Sequence, residues 1–101
     1  MQNEIHMFTA QATASPGNDR FTAKARHALL VFIRQPVGSE YDNDNAIKVV
    51  EETGWEDVVI DKAAKLAAKP MTSDPTLKIA HHEAAEKGSS IVVYADPISD
   101  A

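Results

Sequence analysis

The sequence contains no cysteine. Disulfides, thiolate nucleophiles and cysteine-based zinc sites are therefore excluded. Aromatic residues are scarce, at 6% of the chain, so a core has to come mainly from Val, Ile, Leu and Ala. Long apolar runs are also missing. The longest, Ala28 to Ile33, falls far short of the ~20 residues that cross a bilayer, and no membrane association is expected. The opening MQNEIHMF has no basic stretch leading into an apolar one. No secretory leader is expected, and a cytoplasmic setting fits. Positive charge is in deficit, with 10 Lys and Arg against 15 Asp and Glu and a formal net charge of −5. Such a chain gains little from displacing counterions on a phosphate backbone, so nucleic acid is not an expected partner. The zinc-protease, phosphate-loop and nucleophile-elbow patterns are absent as well. No cofactor is expected.

What is present suffices for one domain. The 101 residues are read as a single unit, 1–101, large enough for one core. Apolar residues make up 44% and charged residues 25%, as in ordinary globular domains. No internal repeat or low-complexity segment interrupts the chain.

Breakers divide the chain into six segments. Glu4 to Ala14 alternates as a strand, with His6, Phe8, Ala10 and Ala12 on one face. Ser15-Pro16-Gly17-Asn18-Asp19 is a turn. Arg26 to Arg34 holds LLVFI, apolar on both faces, which points to a central strand. A helical spacing of Phe21, Ala25, Ala28, Leu29 and Phe32 competes, but Pro36 and the β-branched residues favour the strand. Asn45 to Thr53 reads as a short helix capped by Asp42 or Asp44 and ended by Gly54. From Trp55 to Leu66 two patterns conflict. Val58, Val59 and Ile60 favour a strand, whereas Trp55, Val58, Val59, Lys62, Ala63 and Leu66 fall on a helical stripe. A strand from about Asp57 is expected. Asp74 and Pro75 start a helix that ends at Gly88, and Ser90 to Ala95 forms the last strand.

The resulting order is ββαβαβ. It predicts an α+β two-layer sandwich: a four-stranded mixed sheet with two helices packed on one face. Each βαβ passage would then give parallel neighbours. A ferredoxin-like variant belongs to that class.

Candidate chemistry centres on AHHEAAE, residues 80–86. At 100° per residue, Ala80, His81 and Ala84 fall within about 60° of Leu77 on the sheet-facing side. His82 and Glu86 point away together as an i,i+4 pair. His81 and His27 are candidate general bases for a small hydrolase or isomerase. The bland alternative is a histidine packed in the core and bonded to a carbonyl or carboxylate. His6, His27 and His81 could bind a divalent metal only if all three shared a face. The loop GSEYDNDN lacks the glycine and the final Glu of a calcium loop, so capping and turn formation account for it better. By its position beyond the strand ends it offers Gln35, Ser39, Glu40 and Tyr41, joined by Thr72, Ser73 and Asp96, as a ligand-binding edge. The open sheet raises a further expectation: an unpaired edge strand invites protection or pairing, and a homodimer or a protein partner would supply it. The reading these observations favour is a non-catalytic binding or protein-interaction module. The catalytic reading comes second and the metal-binding reading third.

Overall fold

The computed structural model describes residues 2–66 and 74–98. The elements are β1 (Asn3–Ala14), β2 (Arg26–Pro36), α1 (Asn43–Glu51), β3 (Trp55–Leu66), α2 (Pro75–Lys87) and β4 (Ser89–Val93). The α+β class and the element sequence follow the reading above. The strand order is β3-β1-β2-β4, and every neighbouring pair is antiparallel. The sheet is therefore not mixed. The chain leaving β2 passes over β1 and enters β3 on its far side, so β2 and β3 run the same way without touching. The order also departs from the βαββαβ of ferredoxin-like folds.

The two helices lie on opposite faces, not on one. Phe8, Ala12, Leu29, Val31 and Ile33 form a cluster with Ala46 and Val50 of α1. Ile5, Leu30 and Phe32 form a second cluster with Ala80 and Ala84 of α2. Phe8 pairs with Val31, and Met7 with Phe32, so the clusters sit on the two sides of one sheet. The run LLVFI explains this arrangement. A strand apolar on both faces needs cover on both, and one helix cannot supply it.

The helix ends follow their caps. The Asp42 carboxylate accepts from the Asn45 N–H at 3.0 Å. Asp74 accepts from the Thr76 N–H at 2.9 Å, with Pro75 opening α2. Gly88, at φ 104°, ends that helix in the left-handed region. β4 begins at the next residue, so α2 folds back directly along β4. The Gly88 carbonyl accepts from the Arg34 N–H, and Arg34 Nη1 donates to the Ala85 carbonyl. Together these bonds tie the end of α2 to β2.

β3 is a strand, and its ambiguous spacing has a structural cause. Its register against β1 shifts twice, between Thr9 and Ala10 and between Gln11 and Thr13. Each shift adds a residue to β3. The residues it turns toward the α1 face are Trp55, Val58, Ile60 and Ala63. Two bulges have converted a period of two into steps of three, two and three, which imitates a helix. Asp57 takes φ 52° in one bulge. Arg26 Nη1 donates to the Asp57 carbonyl and to Thr13 Oγ1, at 3.1 and 3.0 Å.

Candidate functional site

The sheet has two edges, and they differ. β3 is bulged twice and carries Glu56, Asp57, Asp61, Lys62 and Lys65. Bulges and charge are the usual protection of an edge strand. β4 reads Ser89-Ser90-Ile91-Val92-Val93, with no charge and no bulge. Its register with β2 is continuous from Ser89 opposite Ile33 to Val93 opposite Leu29.

The hydrogen bonds fix which backbone groups of β4 face β2. The Tyr94 N–H donates to Ala28, and the Gly88 carbonyl accepts from Arg34. Residues 88, 90, 92 and 94 therefore turn their polar groups toward β2. By antiparallel alternation, Ser89, Ile91 and Val93 turn theirs outward.

A cleft of about 590 Å³ lies along this edge. Ile91, Val92 and Val93 all line it. Successive strand residues point to opposite faces, so a cleft touching all three runs along the strand edge. One wall is α2, through Thr76, Ile79, Ala80 and Glu83, the i, i+3, i+4, i+7 face of that helix. The other wall is the segment Gly17 to Phe21, with Thr53 and Trp55 behind it.

Local bonding shapes this second wall. Asn18 Oδ1 accepts from the Arg20 and Phe21 N–H groups, while its Nδ2 donates to the Gly54 carbonyl. Ser15 Oγ donates to the same carbonyl. Gly54 has φ 97°, and a Cβ there would sit 3.3 Å from Asn18 Nδ2. The site favours glycine for both reasons. Phe21 then stacks 4.7 Å from the His27 ring and 5.4 Å from Trp55, fixing the wall over the α1 face.

The histidines are not brought together. His6 and His27 share the α1 face but stand opposite Ile33 and Ala12. Six strand positions separate them, roughly 20 Å. His81 belongs to α2 and the other face. The condition for a shared metal site, all three histidines on one face, is not met: a helix on each face keeps them apart. His27 Nδ1 bonds the Tyr94 carbonyl at 2.8 Å, and its ring packs among Phe21 and Trp55. His27 and His81 are both buried, and neither lines the cleft. His82 pairs with Glu86 at 3.0 Å in the open.

The expected ligand-binding edge is also split. Gln35 lies opposite Glu4, and Ser39 and Tyr41 follow at the same end of the sheet. Asp96 follows β4, which runs against β2, so it lies at the opposite end. The antiparallel sheet is the reason. Ser73 and Thr72 fall outside the described residues.

Tyr41 instead covers a small polar group. His6 is fully buried, and its Nε2 lies 2.6 Å from Glu4 Oε2. The Tyr41 ring stands edge-on to His6 at 5.0 Å. Lys65 Nζ is 3.7 Å from Glu4 and 5.9 Å from the Tyr41 ring centre. His6 Nδ1 is buried without a hydrogen-bond partner. A carboxylate can only accept, so the Nε2–H donates to Glu4. The bond from His6, with Lys65 nearby, holds the Glu4 carboxyl below its ordinary value.

The sequence reading did not name the cleft residues as a site. One of its observations pointed there: an open edge strand needing protection. No protein-family model matches the chain, and no curated protein or solved structure is significantly similar to it.

Proposed function

We propose that this chain is a non-catalytic binding module that takes an extended polypeptide segment as an added strand along β4. The observation that carries the reading is the outward set of N–H and C=O groups on Ile91 and Val93, lying in a walled cleft. Strand addition to a sheet edge draws affinity from main-chain bonds and specificity from pockets for alternate side chains. The cleft volume of about 590 Å³ is within the usual range for ligand sites, roughly 300–1,000 Å³. The walls favour a single segment over a second folded copy. The cleft is walled on both faces, by α2 and by the Asn18 segment, and a second copy would have to bring its own α2 and Asn18 segment to the same edge. A small hydrolase or isomerase using His81 or His27 has less support, since neither ring reaches the cleft. The same holds for metal binding by His6, His27 and His81.

Ile91→Pro is the decisive variant. It removes an outward N–H and leaves the bonds to β2 intact. A library of random seven-residue peptides should enrich binders on the wild-type protein and none on Ile91→Pro. No enrichment on wild type, or equal enrichment on both, overturns the reading. A mass that rises with concentration and falls to the monomer in Ile91→Pro would replace the peptide with a second copy.

A further inference from the structure

We infer that the cleft selects segments carrying a lysine or arginine at the position opposite Val92, with apolar residues on either side. The inference rests on the strand-addition reading above. Directly opposed residues of paired strands share a face. A residue opposite Val92 therefore points to the α2 face, and residues opposite Ile91 and Val93 point to the α1 face. The two walls differ in chemistry. On the α1 side, Phe21 and Trp55 adjoin the half-buried Ile91 and Val93, an apolar surface for apolar side chains.

On the α2 side the wall carries Ile79, 60% exposed, with Glu83 one turn further along the same face. Among the described residues, ion pairs join Glu4 to His6 and Lys65, and Glu86 to His82. Glu83 is in none of them. A long basic side chain can lay its methylene stem along Ile79 and bring its charge to Glu83. An acidic residue there would meet Glu83 and a chain of net charge −5. Asp19 and Arg20 stand together on the opposite wall and offset one another.

The test uses three labelled probes, acetyl-Val-Thr-Val-X-Val-Thr-Val-amide, with X as Lys, Gln or Glu. Binding is followed by fluorescence anisotropy at low salt, and backbone amide shifts of the protein are recorded in parallel. The Lys probe should bind about two- to five-fold tighter than the Gln probe, as expected for a solvent-accessible ion pair, and the Glu probe should bind most weakly. In Glu83→Lys, an exposed substitution, the order should reverse. Probes that shift the Ile91 and Val93 amides but bind alike whatever X is overturn this inference and leave strand addition standing. An order unchanged in Glu83→Lys also overturns it. If no probe binds or shifts those amides, the strand-addition reading falls, and this inference with it.

Discussion

His6 shows how a single residue can be committed to structure. It is fully buried, one ring nitrogen faces the Glu4 carboxylate at 2.6 Å, and the Tyr41 ring closes over it. The arrangement has a pH signature that belongs to Glu4. The bond from His6, then Lys65, lowers the Glu4 carboxyl from its ordinary 4.5. A carboxyl lowered by folding contributes its stability above the unfolded value, and loses it as pH falls through the folded value. Glu4→Gln should therefore melt below wild type at pH 7. The gap should narrow as pH falls below about 4.5, where the wild-type carboxyl takes up its proton. Melting temperatures measured from pH 7 to pH 3 check this, and a constant gap would count against it. Strand alternation put this residue on one face of β1 with Phe8, Ala10 and Ala12, without telling whether that face is covered. The carboxylate partner of His6 was not legible, because Glu4 and His6 are two apart on a strand and were not read as a pair.

At the scale of elements, β4 makes a sharper prediction. Among the described residues its outward amides have no partner strand, and its inward ones do. Hydrogen exchange should alternate along the strand, with Ile91 and Val93 fast and Ser90, Val92 and Tyr94 slow. Uniform protection would mean that the edge is covered. The elements themselves were largely readable. Caps at Asp42 and Asp74, the stops at Gly54 and Gly88, and the alternation of β1 are local signals acting on local backbone. β3 was harder because its bulges, set by pairing with β1, disguise its period. Strand order and the faces taken by the helices depend on distant segments meeting. The run LLVFI did carry the clue that both faces need cover. The cleft was readable only in one ingredient, an open sheet whose edge strand needs cover. Its second wall comes from the Asn18 turn, some 70 residues earlier in the sequence, and no local pattern links the two.

At the scale of the whole molecule, β1 and β2 carry the core. Phe8, Val31 and Leu29 are fully or almost fully buried between them and α1. Phe8→Ala should cost about 3–5 kcal/mol, a large part of the ~5–15 kcal/mol that holds a small domain folded. Urea denaturation measures it, and a loss under about 1 kcal/mol would show that the site collapses around the gap. The path of the chain through this core has a mechanical consequence. The Gln2 carbonyl accepts from Val37 at one end of the sheet, and the Ile98 N–H donates to Arg26 at the other. β1 and β4 run in the same direction on either side of β2. Tension applied through residues 2 and 98 would pull them lengthwise past β2, loading the crosswise hydrogen bonds in shear, many at once, instead of unzipping them singly. A segment added to β4 would widen the sheet at the strand where that load leaves the domain.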